Sequence, residues 1–144
     1  MYVQTILRSK GNDVAWVRPG DSITDACTRM QEHGIGALLV SDDGVRPLGI
    51  LSERDIARAV ATYGERLPDM VVRDLMTGHV FTCAPDDTIE SVMETMTRER
   101  IRHVPVIHGG RLAGIISIGD VVKFRLDEMT QETEALRGYI AGAG

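Results

Sequence analysis

Aromatic residues are scarce, with one Trp, three Tyr and two Phe in 144 residues. Lys and Arg are outnumbered 16 to 21 by Asp and Glu, which leaves a net charge of −5, and no Lys/Arg tract occurs. Together these argue against a nucleic-acid groove or an anionic membrane surface as partner. Any anionic ligand must be held by local positive groups. Two cysteines, Cys27 and Cys83, cannot build a disulfide framework, and a reducing cytoplasm is the expected compartment. No apolar run approaches the roughly 18–20 residues that span a bilayer; the longest, such as Gly36-Ala37-Leu38-Leu39-Val40, have strand length. The amino terminus shows no basic block followed by an apolar one, so no signal peptide is expected. His33, His79, His103 and His108 lack Cys or His at metal-ligand spacing. No Gly-x-Ser-x-Gly, Walker A or Gly-x-Gly-x-x-Gly pattern is present, and no nucleophile stands beside an obvious base. No catalytic residue, catalytic cofactor or metal is therefore expected, and the chain reads as a non-enzyme.

What is present is a repeat. At an offset of 66, Val14, Pro19, Asp21, Ile23, Met30, Ile35 and Val40 match Val80, Pro85, Asp87, Ile89, Met96, Ile101 and Val106. After a one-residue deletion, Gly44, Arg46, Gly49, Ile50, Ser52 and Asp55 match Gly109, Arg111, Gly114, Ile115, Ser117 and Asp120. Self-similarity on this scale means one structural unit used twice.

Each copy predicts a short strand (14–17; 80–82), a proline turn, and a helix capped near Asp21 or Asp87. The second copy's Ile89, Val92, Met93 and Met96 lie on one helical face. A buried strand (37–40; 104–107) follows, then a glycine turn, a strand ending Gly-Ile-Leu-Ser or Gly-Ile-Ile-Ser, and a second helix. The order is β-α-β-β-α twice, an α/β (α+β) fold. A unit of about 60 residues buries little core alone, so the copies should pack together with pseudo-twofold symmetry. Val3 to Ser9 read as a lead-in helix, with Val72 to Thr77 in the corresponding place before the second copy. Tyr63 to Asp69 is the linker, and the last helix runs past Lys123 toward a Gly-Ala-Gly tail expected to fray. The expected division is 1–69, first motif with lead-in helix and linker; 70–129, second motif; and 130–144, C-terminal extension.

These residues carry a resemblance. Gly49-Ile50-Leu51-Ser52-Glu53-Arg54-Asp55, Gly114-Ile115-Ile116-Ser117-Ile118-Gly119-Asp120, Asp74-Leu75-Met76-Thr77 and Ile101-Arg102-His103-Val104-Pro105-Val106 resemble the tandem CBS-motif pair, or Bateman module. Lys10-Gly11 with Ile35 to Val40 resembles its stand-alone bacterial subgroup. The resemblance implies a ligand sensor binding an adenine nucleotide (AMP, ADP, ATP, NAD or S-adenosylmethionine) between the repeats. It also implies a homodimer, expected here through Ile56, Val60, Val121, Val122 and Phe124, and an unidentified protein effector.

The chemistry of a nucleotide site would sit at the Gly-h-h-Ser-x-x-Asp ends. Glycine in a strand admits a close neighbour, backbone or ligand. Serine at a strand-to-helix junction lies where free N–H groups and the helix dipole favour phosphate, and an Asp three residues on can accept from a ribose diol. The same Ser-x-x-Asp pairs make good N-caps, and both roles remain open. By resemblance, one cleft combines Ile115, Ser117, Gly119 and Asp120 with Lys10, Val14, Ile35, Gly36 and Ala37, with Arg102 and His103 at the family's phosphate-binding pair in reversed order. The second cleft combines Ser52 and Asp55 with Thr77, Val80 and Ile101 and is expected to be the weaker. Glu53-Arg54 and the Arg98-Glu99-Arg100 run read as solvated helix face, with an approach of Arg54 and Arg58 to phosphate as the alternative. A structural dimerisation or adaptor module with vestigial clefts is the alternative.

Overall fold

The structure, a computed structural model, describes residues 1–143. Helix α1 (Val3–Lys10) leads into strand β1 (Trp16–Val17), helix α2 (Ile23–His33), strands β2 (Ala37–Val40) and β3 (Gly49–Ser52), and helix α3 (Glu53–Tyr63). A 3₁₀ turn (Gly64–Asp69) and the one-turn helix α4 (Val72–Leu75) connect to helix α5 (Ile89–Glu99), strands β4 (His103–His108) and β5 (Arg111–Ser117), and helix α6 (Ile118–Ala143). In the first repeat β1 pairs parallel to β2, which pairs antiparallel to β3. The second repeat has the antiparallel pair β4–β5.

The strand expected over 80–82 does not form; a single parallel bridge joins Cys83 to Val106 instead. Pro105 explains the difference. In the first repeat the Leu39 N–H donates to the Ala15 carbonyl and extends the ladder. At the equivalent step the donor would be the nitrogen of Pro105, which has no hydrogen. Pairing stops at Cys83, whose N–H and C=O bond the carbonyl of Pro105 and the N–H of Ile107.

The repeated aspartates are turn residues, not caps. The caps stand one residue later, where the hydroxyls of Ser22 and Thr88 accept from the N–H of Asp25 and Ser91. The carboxylates of Asp21 and Asp87 accept from the N–H of Arg18 and Ala84 and close the proline turns that precede α2 and α5.

Those turns receive the other lead-in segment, and the segments are exchanged between repeats. The N–H groups of Val3 and Gln4 donate to the carbonyls of Asp87 and Pro85, while those of Val72 and Arg73 donate to the carbonyls of Asp21 and Pro19. Accordingly α1 buries Val3, Ile6 and Leu7 in a core with Ile89, Val92, Met96, Val104, Val106 and Ile116 of the second repeat. Val72 is buried with Val17, Ile23, Leu38, Val40 and Leu51 of the first. The signature glycines make room for the exchange. A methyl on Gly114 would lie 2.6 Å from Leu7 Cδ2, and one on Gly49 would lie 2.8 Å from the Thr77 carbonyl oxygen. Their missing side chains thus admit the crossing segments.

The dimer face expected on α3 and α6 is partly consumed within the monomer. Val121 is buried, and Phe124 and Ile56 pack against the two cores. Val60 and Val122 stay half exposed. Beyond Phe124, α6 leaves the body, and its side chains from Leu126 to Gly142 are exposed apart from Glu128, which is half-buried. Regular helix reaches Ala143, inside the tail expected to fray, and Gly144 lies outside the described residues.

Candidate functional site

Where the two repeats meet, each presents the start of its last helix to the other's first strands, and two clefts result. The first, of about 670 Å³, brings Ser52 and Asp55 together with Thr77, Val80 and Ile101. The second, of about 710 Å³, brings Ser117, Asp120 and Ile115 together with Lys10, Val14, Ile35, Gly36 and Ala37. Gly36, His103 and Ser117 line both, so the clefts share a wall.

Two residues expected in the Ser117/Asp120 cleft line the other one: Arg102 and Gly119. Arg102 lines the Ser52/Asp55 cleft and not the Ser117/Asp120 one, whereas His103, next along the extended segment, reaches both. Gly119, in the first turn of α6, faces the Ser52 side.

Both Ser-x-x-Asp pairs do cap their helices. The Ser52 hydroxyl accepts from the Asp55 N–H at 3.3 Å, and Asp55 Oδ2 accepts from the Ser52 N–H at 2.9 Å. In the second repeat the corresponding distances are 3.1 and 2.9 Å. Capping uses only Oδ2. Asp55 Oδ1 has a long contact of 3.4 Å from the Thr77 hydroxyl, and Asp120 Oδ1 has no protein partner among the described residues. One carboxylate oxygen in each cleft is therefore placed to accept further hydrogen bonds.

Electrostatically the clefts differ. In the Ser117/Asp120 cleft the positive group is already engaged: Lys10 Nζ donates to Asp120 Oδ2 at 2.6 Å and to the Ile115 carbonyl at 2.9 Å. Burial opposes ionisation of Asp120, but Lys10 and the Ser117 N–H outweigh it and hold the carboxyl below its usual range. The Ser52/Asp55 cleft instead gathers Arg54, Arg58, Arg100 and Arg102. Among the described residues none of these four guanidiniums lies within ion-pair distance of a carboxylate. Arg54 Nη1 donates to the Arg100 carbonyl at 3.2 Å, tying α3 to the end of α5. Arg100 takes the left-handed conformation there (φ 54°), which turns the chain so that Arg100 and Arg102 reach one rim. Arg100 was missed in the sequence because a charged run at a helix end has the pattern of a solvated face. The signal that would have found it is Arg54 and Arg58 on the helix after Ser52, joined with Arg102.

Burial, and then the Lys10 ammonium, hold His103 below the ordinary imidazole range against the pull of Asp120 and Glu53. The folded state thus binds this proton less tightly than the unfolded chain. The stabilisation from neutral His103 is complete above about pH 6.5 and is lost as the pH falls from there. His103→Gln should flatten the fall in melting temperature between pH 7 and 5. A fall as steep as wild type would place the acid sensitivity elsewhere. Cys83 is inert, its thiol pushed up to about 12 by burial and by Asp87. No cluster of three or more His, Cys, Asp or Glu able to hold a metal occurs among the described residues, nor does a helix long and apolar enough to cross a membrane.

Comparison with known proteins gives a consistent result. The family model described as "CBS domain" matches residues 6–62 and 72–127. The structure is similar to that of the CBS-domain containing protein ATU1752 from Agrobacterium tumefaciens, with a TM-score of 0.84 and 46% identity, covering 87% of this chain and 99% of that one. It is also similar to the CBS domain pair of protein MJ0100, solved in complex with 5′-methylthioadenosine and S-adenosyl-L-methionine; here the TM-score is 0.75 and identity 25%, over 86% and 98% of the chains. A hexameric CBS-CP12 protein from bloom-forming cyanobacteria matches with a TM-score of 0.75 and 29% identity, over 100% of this chain and 90% of that one.

Proposed function

This chain belongs to the CBS-domain family as a CBS pair, a regulatory module, and on that premise we propose that it senses an adenine nucleotide in the clefts between its repeats. The observation that carries the reading is the set of four guanidiniums, without an ion pair among the described residues, at the Ser52/Asp55 cleft of a chain whose net charge is −5. The cleft also carries the carboxylates of Glu53, Asp55 and Glu99, but none is within ion-pair distance of these arginines, so the guanidiniums still repel one another and a bound polyanion relieves that repulsion. The adenosyl ligands of the MJ0100 pair support the choice of base and sugar. Val80 and Ile101 flank the base, Asp55 Oδ1 accepts from the ribose, and the N-terminus of α3 with Arg58 and Arg102 takes phosphate. A ligand with several phosphates, ATP or ADP, uses this charge better than AMP does. The Ser117/Asp120 cleft has its one lysine committed to Asp120 and is better suited to a ligand of low charge. With Arg102 turned away from it, the grounds for ranking it the tighter site pass to the Ser52/Asp55 cleft. Sensing requires that ligand favour one arrangement of the repeats over another. A ligand spanning α3 of the first repeat and β4 of the second touches both.

Thermal unfolding with a nucleotide panel tests this. At about one hundred times Kd the gain is roughly 2.7 kcal/mol, a rise of about 5–11 °C for a domain near this size. ATP and ADP should act more strongly than AMP, and adenine nucleotides more strongly than guanine or pyrimidine ones. A flat response to ATP, ADP, AMP, NAD and S-adenosylmethionine alike would instead mark a structural module with empty clefts.

A further inference from the structure

Helix α6 continues for more than four turns after the chain has closed its last core contact at Phe124. Most helical stability in proteins comes from packing of one face rather than from propensity, and Gly138 and Gly142 lower the propensity of this segment relative to Ala. Its apolar residues nevertheless keep one stripe. Val122, Leu126, Met129, Thr133, Leu136 and Ile140 are separated alternately by four and three residues, a period of about 3.5 rather than 3.6. The five apolar members are 50–63% exposed among the described residues.

We propose that this stripe is the seam of a parallel two-stranded coiled coil formed with a second copy of this chain. A narrow seam of strict heptad spacing fits a like helix rather than a globular surface, which takes a wider apolar face. The flanking charges choose the partner and its direction. With Leu126 and Met129 at the two seam positions of a heptad, Glu132 and Arg137 flank the seam at the g and e positions. In a parallel pair each Glu132 meets Arg137 of the second copy, twice by symmetry. An antiparallel pair that sets Met129 against Thr133 would oppose Glu132 to itself and Lys123 to Arg137. Thr133 places one polar layer mid-seam, the device that fixes register at some cost in affinity.

The test is sedimentation of the full chain at micromolar concentration. Wild type should associate beyond the 15.8 kDa monomer. Leu126→Lys with Leu136→Lys should weaken association at least a hundredfold or remove one step of it. Both residues are exposed, so the variant should keep its cooperative melting transition. Thr133→Leu should tighten association. Glu132→Lys should weaken it, and adding Arg137→Glu should restore it. A wild type that stays at 15.8 kDa, or a double lysine variant that assembles as tightly as wild type, overturns the coiled coil. If Glu132→Lys leaves association unchanged or strengthens it, the parallel pairing is wrong.

Discussion

Replacing Arg58 and Arg102 together by Ala should lower the affinity of the Ser52/Asp55 cleft for ATP by about two to four orders of magnitude. Each guanidinium is positioned for charge-assisted hydrogen bonds worth roughly 1.5–3 kcal/mol, and each 1.4 kcal/mol is about tenfold in Kd. AMP should lose less, because fewer phosphate oxygens reach the rim. Both arginines are exposed and form no ion pair among the described residues, so the unliganded fold should melt as wild type does or slightly higher. Titration calorimetry with ATP and AMP reads the outcome. An unchanged ATP affinity would move phosphate binding to the Ser117/Asp120 cleft, where Lys10→Ala should then act instead.

The second large effect concerns stability and the exchanged segments. Leu7→Ala empties a buried position between α1 and β5 and should cost about 2–5 kcal/mol, a large share of the 5–15 kcal/mol that holds an ordinary domain. Gly114→Ala inserts a methyl 2.6 Å from Leu7 Cδ2 and should cost about 1–3 kcal/mol by overpacking. The two changes together should cost less than their sum, since the added methyl enters the space the leucine leaves. Denaturant unfolding of the four proteins measures the coupling. Strict additivity would mean that Leu7 does not pack on Gly114 in solution.

The repeat was legible because its signals are local. Hydrophobic period, glycine turns and the Ser-x-x-Asp ends each act within a few residues, and the β-α-β-β-α order of the first repeat and the α-β-β-α order of the second stand where those signals put them. What could not be read depended on contacts distant in the chain. The strand at 80–82 failed through Pro105, more than twenty residues away, whose missing hydrogen matters only once the two segments lie side by side. Asp21 and Asp87 had the composition of caps, but a serine or threonine next to each offered the same chemistry at better geometry. The signature glycines were open to a ligand or a backbone neighbour. They admit the crossing segments, a pairing with a sequence separation of about one hundred residues for Leu7 and Gly114. The residues expected in each cleft came from the family resemblance, whereas which cleft Arg102 lines depends on how its side chain is directed once the two repeats have packed.

The exchange of lead-in segments has a consequence for how the protein is made. The helix of this module that is synthesised first, α1, belongs to the core whose remaining strands are synthesised last. Leu7 must wait for Gly114, roughly 5 to 20 s at usual elongation rates. Throughout that interval Val3, Ile6 and Leu7 have no place in the first repeat, whose own slot is reserved for Val72. The first half can close as soon as α4 emerges, but the second cannot close without reaching back to α1. Folding of the module should therefore finish only after synthesis has passed β5, with α1 as its most aggregation-prone segment until then.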